Sequence, residues 1–502
     1  MFTLEECTVK SIREAFEKGE LTSFDLVIMY MERIAKYDKA GPKLNSVLEI
    51  NPDAIFIAEA MDRERSKGKV RSALHGIPVL LKDNINTFDK MLTSAGSLAL
   101  MDNYAPYDAF ITKKCREAGL VILGKANMTE LANFMDFNMK SGYSSRGGQV
   151  INPYKSGQEV WGSSTGSAVA VSANLCALAV GTETDGSILA PAYINGCVGI
   201  KPTQGLVSRH GIIPICGAQD TAGPMARTVA DAAALLNVLA AEDENDPSTW
   251  CRADVIPKDY TDFLMSDGLR GLRVGINRGY YDDKAYHNVF NDDMKDISEK
   301  AYKVMESRGA VLVQDTNIGH LKNDLNVLLY EFKKCLNAYL ATTSPTVKNR
   351  SLKALIDFYG DHPKEGLKYG MSILQAAEYN TSGTLTDPVY IKDRINCLRS
   401  SRQNGIDKIM EEHKLDVLVC PGLTDLAPIS GCPGINVPAG YQKDGTPFGI
   451  NFIGRPFSEP VLIKAAYAYE QASKVRKAPV FEDLNDGSEK VVGWLAAQGK
   501  EA

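Results

Sequence analysis

Residues 161–192, WGSSTGSAVAVSANLCALAVGTETDGSILAPA, constrain the fold more than any other stretch of this 502-residue chain. Their middle, 168–180, carries no charge and is built from Ala, Val, Leu and single small polar residues. Its apolar residues fall on every side of a helical projection rather than along one stripe, so the spacing predicts a helix buried all round. Small side chains on such a helix let neighbouring backbone come close. Both flanks, each rich in glycine and hydroxyls, are thereby held to one rigid buried element.

The first flank, Gly162-Ser163-Ser164-Thr165-Gly166-Ser167, puts hydroxyls and unpaired N–H groups at a helix start, where the macrodipole favours negative charge. By itself it reads as an N-cap and a glycine turn. The second flank, Gly181-Thr182-Glu183-Thr184-Asp185-Gly186-Ser187, places a serine directly after an Asp-Gly pair. Glycine reaches backbone angles closed to other residues, so such a turn can expose a nucleophile and aim successive N–H groups at one point, as an oxyanion hole requires. By itself it is also an ordinary hairpin turn. The two flanks together are more specific: Ser163 and Ser187 stand 24 residues apart, and Lys82, in the setting Leu80-Leu81-Lys82-Asp83-Asn84, lies 81 residues before Ser163. Desolvation disfavours a charged lysine, and a neutral amine can act as a base. Asp83 and Asn84 are candidates for fixing the loop that follows Lys82.

The segments His75-Gly76-Ile77-Pro78-Val79-Leu80-Leu81-Lys82-Asp83, Gly162 to Ser167 and Gly181 to Ile188 resemble the three motifs of the amidase signature family, in that family's order and spacing. These are serine hydrolases with a Ser–cis-Ser–Lys triad. The resemblance runs from about residue 4 to about residue 479. It implies an α/β fold, a large twisted mixed β-sheet core surrounded by α-helices. One amidase domain is expected over residues 1–502, with a core at about 4–241 and 410–480 and a variable helical insertion or cover at about 270–400. The implied catalytic residues are Lys82, Ser163 and Ser187, with a cis peptide bond at Gly162–Ser163. The backbone N–H groups of Thr184, Asp185, Gly186 and Ser187 are the implied oxyanion hole.

The reaction expected is hydrolysis of a carboxamide to carboxylate and ammonia or amine, through an acyl-enzyme on Ser187 and without a cofactor or metal. Asp185-Gly186-Ser187 in place of Gly-Gly-Ser, with Glu183 upstream, is similar to a subgroup that includes bacterial peptide amidases. Peptide C-terminal or small-molecule amides are therefore the expected substrates. Many family members carry Arg where this chain has Leu189, so the tie that such an Arg gives the nucleophile loop does not transfer. The alternatives are the glutamine-hydrolysing subunit of a tRNA-dependent amidotransferase complex, which acts only within a complex, and a non-catalytic binding protein on the same fold.

A net charge of −6 without a basic run leaves nucleic acid off the expected partners. No apolar run approaches the length of a membrane span, and the N-terminus is charged throughout with no apolar signal core, so no membrane is expected and the cytoplasm is the default location. A monomer or homodimer is expected. Ten cysteines occur singly with no CxxC pair, the pattern of neither a disulfide framework nor a zinc site, and Cys176 and Cys197 read as small buried hydrophobes. His75 and His210 read as turn or packing residues, and no G-x-S-x-G elbow supports a Ser–His–Asp site.

Elsewhere the patterns predict helices over 4–18, 24–37, 109–118, 228–241, 289–308, 321–342 and 459–473. Strands are expected at 45–49, 79–81, 121–125, 271–276 and 416–421, and by the resemblance 434–440 with 445–457 forms the family's closing β segment. By the resemblance, Asn127-Met128-Thr129-Glu130 lies near the substrate. Residues 133–154, rich in Gly, Ser, Arg and Asn, read as an ordered loop over the pocket, and 348–383 reads as polar, aromatic and irregular. Its tyrosines, Tyr359, Tyr369 and Tyr379, and the later Tyr390 are expected to pack rather than line the site. The tail after about residue 483 is expected to fray.

Overall fold

Short apolar runs bounded by Gly and Pro make the strands, and several of them are buried at every residue, as in a sheet covered on both faces. The computed structural model describes residues 2–250, 255–278, 290–318, 321, 325–422 and 424–481. Its strands are β1 (Val47–Ile50), β2 (Pro78–Lys82), β3 (Val121–Ala126), β4 (Tyr143–Ser144), β5 (Gly148–Gln149), β6 (Leu178–Glu183) and β7 (Val198–Lys201). Then come β8 (Thr221–Ala226), β9 (Arg273–Ile276), β10 (Val311–Val313), β11 (Val417–Pro421), β12 (Gly434–Tyr441) and β13 (Pro447–Ile453). Eleven of them form one sheet in the order β1-β3-β2-β6-β8-β7-β12-β13-β11-β9-β10, and β4 and β5 form a small hairpin in the loop over 133–154. The sheet is mixed: β2 runs parallel to β3 and β6, whereas β6 and β8 are antiparallel, with Gly181 opposite Gly223. The expected α/β architecture, a large mixed sheet among helices, is what the chain adopts.

One expectation needs correcting. Residues 168–180 do not form a single helix: the helix is Thr165–Ser172, and the chain turns at Asn174 and re-enters the sheet as β6. Asn174 adopts a left-handed conformation, φ 59°, which ends a helix and which Asn tolerates better than most residues. The guanidinium of Arg33, at the end of helix Ser23–Arg33, donates to the carbonyls of Ala173 and Asn174. The helix that does form is buried at all eight residues, as its all-round apolar surface demands. A Cβ at Gly166 would stand 2.3 Å from the carbonyl oxygens of Asn127 and Ser46, so glycine lets this helix lie against the chain that follows β3.

A second apolar cluster joins Leu418, Cys420 and Ile453 of the sheet to a group of helices. Helices Leu325–Ala341, Leu352–Asp361, Ser372–Tyr379 and Pro388–Leu398 pack through Phe332, Leu336, Leu355, Tyr359 and Leu374. Residues 348–383 are thus largely helical, contrary to the reading from sequence. Leu352, Leu355, Ile356 and Tyr359 make a helical stripe and Ser351 caps it, but Gly360, Gly366 and Gly370 cut the pattern into pieces too short to stand out. Of the four tyrosines, Tyr359 is buried, Tyr369 packs edge-on against Tyr143, Tyr390 donates to Glu331 and Tyr379 is exposed.

Among the described residues no helix is long and apolar enough to cross a membrane. The nine described cysteines are unbridged, and Cys176 and Cys197 are fully buried. The frayed tail expected after 483 lies outside the described residues.

Candidate active site

Strand β2 ends at Lys82, whose side chain is fully buried. Its Nζ stands 2.8 Å from Ser163 Oγ, 2.9 Å from Ser164 Oγ, 2.9 Å from Thr182 Oγ1 and 3.1 Å from the Thr182 carbonyl. All four neighbours are uncharged. Burial therefore holds the amine well below its ordinary pKa, with Glu183 and Asp220 pulling the other way from a distance. Among the described residues two further lysines are fully buried, Lys125 and Lys201, but their amines bond Ile85 O and Thr93 Oγ1, and Pro202 O and Cys432 O. Among the three, serine hydroxyls surround Lys82 alone.

Ser163 comes just before the buried helix, and the Gly162–Ser163 peptide bond is cis. The chain on either side is pinned: Ser163 O accepts from Thr129 N at 3.1 Å, and Ser164 N donates to Ser187 O at 3.2 Å. That last bond joins the two hydroxyl-rich flanks directly. Gly186, at φ +78°, makes the sharp turn before Ser187. Ser187 is 6% exposed while Ser163 and Lys82 are at 0%.

The loop carrying Thr184, Asp185 and Gly186 is held from below. Thr184 Oγ1 donates to the half-buried Asp220, Gln219 Nε2 donates to Thr184 O at 3.1 Å, and Asp220 in turn accepts from Ile215 N and Cys216 N. Burial raises the Asp220 carboxyl to about 6. Glu183 Oε2 accepts the N–H groups of Ile188 at 2.7 Å and Leu189 at 2.9 Å, directly after Ser187. Here a carboxylate secures the loop that carries Ser187, and Leu189 itself is apolar packing against Gly434. Asp83 ties the chain beyond Lys82 through Ser94, Gly96 N and Arg146, and Asn84 donates to Thr182 Oγ1.

Ser187 opens onto a cleft with about 800 Å³ of empty space. Gly162, Thr184 and Asp185 share its floor, Phe134, Phe137 and Ile215 its sides, and Leu325, Leu328 and Ile373 come from the second helical cluster. Ala132 and Asn133, which line it, belong with Leu131 to a run of three consecutive left-handed residues, φ 47°, 59° and 70° from Leu131 to Asn133. The sequence singled out Lys82, Ser163 and Ser187 but not Ser164, Thr182, Asp220 or Glu331. Asp220 had a signal, being the sole charge in Gly211–Ala226, GIIPICGAQDTAGPMA. His75 bonds Met61 O in the interior and His210 stacks on Tyr107, both away from Lys82.

The family model for Amidase matches residues 25–431. The chain is 41% identical to a probable amidase of Arabidopsis thaliana over 96% of its length and 92% of that protein's. The crystal structure of the native peptide amidase from Stenotrophomonas maltophilia is similar at TM-score 0.88 and 43% identity, covering 96% of this chain and all of that one. A glutamyl-tRNA(Gln) amidotransferase subunit of Thermoanaerobacter pseudethanolicus is more distant, 31% identical over 94% of this chain and 97% of that protein.

Proposed function

Because the chain belongs to the amidase family, and so hydrolyses amide C–N bonds, we propose that it does so with Ser187 as nucleophile, Ser163 as proton carrier and Lys82 as base. The observation that carries this reading is the 2.8 Å contact between a fully buried lysine amine and a serine hydroxyl, in a shell with no carboxylate in ion-pair contact. An amine so placed is favoured in its neutral form. Lys82 takes the Ser163 proton, Ser163 takes that of Ser187, and Ser187 Oγ bonds to the amide carbon. The carbonyl oxygen becomes an anion facing the N–H groups of Thr184, Asp185, Gly186 and Ser187. One such donor contributes about 3 kcal/mol to the transition state. As the C–N bond breaks, the proton held on Lys82 returns along the two serines to the leaving nitrogen. Water then attacks the acyl-enzyme by the same relay, releasing the carboxylic acid and restoring Ser187.

The substrates proposed are peptide C-terminal amides and small-molecule amides. Apolar cleft walls suit a hydrophobic group beside the scissile carboxamide, and the greater similarity to a peptide amidase than to an amidotransferase component supports this choice over the glutamine-hydrolysing alternative. Ammonia release from peptide amides, aryl amides, short aliphatic amides and free glutamine tests it, together with intact mass of the trapped acyl-enzyme. The expected pattern is turnover of apolar amides by the chain alone, with the acyl mass on Ser187. Release from glutamine only in the presence of an added partner would replace this reading by the amidotransferase one.

A further inference from the structure

Behind Thr182 lies a small, partly open cavity with about 20 Å³ of room, enough for one water-sized molecule, walled by Asn84, Thr182, Thr184, Ile213, Asp220 and Arg209 among others. Asn84 is 2% exposed. Its Nδ2 donates to Thr182 Oγ1 at 3.0 Å and to Ile213 O at 3.3 Å, whereas its Oδ1 is buried with no protein donor. Buried amide oxygens in folded proteins have donors, from protein or from ordered water.

Proton counting around the amine gives this orphan a meaning. If Lys82 is to receive the Ser163 proton, its lone pair faces Ser163 Oγ and its two N–H bonds are shared among the three remaining neighbours. Ser164 Oγ already donates to Thr182 O at 2.9 Å and accepts from Thr182 N at 3.1 Å, so toward Lys82 it only accepts. A carbonyl also only accepts. Thr182 Oγ1 is the one other group able to donate to the lone pair, and doing so would block the base. Asn84 Nδ2 fills one lone pair of that hydroxyl; its proton still needs an acceptor away from the amine.

Resting on the triad reading above, we propose that one water molecule occupies this cavity, accepting from Thr182 Oγ1 and donating to Asn84 Oδ1. Asn84 is then a positioning residue: through the water and Thr182 it keeps the Lys82 lone pair turned to Ser163. The charged groups near the amine are Glu183 on β6, Asp220 at the start of β8, and Arg209, which is bound to Asp246.

A crystal structure of the native protein at a resolution that shows waters is expected to reveal one within about 3 Å of both Asn84 Oδ1 and Thr182 Oγ1. A dry cavity, or a metal ion in it, would overturn the proposal. In Asn84→Ala, kcat should fall about 10- to 100-fold with KM little changed. The acid limb of kcat/KM should also move to higher pH, because added water solvates the ammonium. Asn84→Asp, the same shape with a facing charge, should move that limb further. A fall in kcat with no movement of the limb in either variant, or no fall at all, would leave Asn84 a merely structural residue. Should Asn84→Ala fail to fold, Asn84→Asp and the native crystal carry the test. If Ser187→Ala still hydrolyses amides the triad reading itself fails, whereas a dry cavity in an enzyme dependent on Ser187 sinks this inference alone.

Discussion

The sheet core and the helical cluster over 325–398 use burial in opposite ways. Around Lys82 the core buries polar groups and answers nearly all of them with hydrogen bonds from three separate segments. The cluster buries apolar faces and touches the core through a handful of polar ties: Tyr359 to Glu130, Glu331 to Ala218 N, Ser372 to Asp136, and Tyr339 to Asn86. To the cleft it lends only Leu325, Leu328 and Ile373. Chemistry should therefore reside in the core and substrate grip in the cluster, so that mutations in the first lower kcat and those in the second raise KM.

The strongest way to break this contrast is Ser187→Ala. It should lower amide hydrolysis by about 10⁴-fold or more, and Ser163→Ala or Lys82→Ala should fall to a similar residual rate without adding to it, as expected of groups that act as a unit. Residual activity near the wild-type rate, read as ammonia release, would remove the core from the chemistry.

The next effect concerns a tie between the regions. Burial raises the Glu130 carboxyl to about 7 from an ordinary 4.5, against hydrogen bonds from Tyr359 and Ser145. The folded state thus holds this proton more tightly than the unfolded chain. The stability it contributes is full below pH 4.5 and is lost as pH rises through 7, a change of about 3 kcal/mol. Chemical denaturation from pH 5 to 8 should show wild-type stability falling more steeply than that of Glu130→Gln; parallel curves would contradict this.

Two smaller effects sharpen the division. Glu183→Gln weakens the grip on Ile188 N and Leu189 N and should lower kcat about tenfold with KM unchanged. Leu328→Ala should do the reverse, raising KM for an apolar amide up to about tenfold, roughly 1 kcal/mol of lost contact, at constant kcat.

The same contrast explains what could be read beforehand. Lys82, Ser163 and Ser187, the triad proposed above, stood out because they sit in short, local motifs of glycine turns and hydroxyls that resemble those of the family. The partners Thr182 and Asp220 did not stand out, since they meet Lys82 and Thr184 only after distant segments come together in the fold. The single helix expected over 168–180 failed because composition cannot distinguish an apolar helix from an apolar strand, and one left-handed Asn decides between them. The helices over 352–379 were missed because their stripes are only two or three turns long and glycines interrupt them.

The left-handed run Leu131–Ala132–Asn133 sets a rule for anyone reshaping the cleft. This wall takes its course from main-chain torsions rather than from the bulk of its side chains, and side chains branched at Cβ fit such torsions poorly. A randomised library over Ala132 and Asn133 should return Gly and Asn and shed Val, Ile and Thr, whatever amide is used to select it.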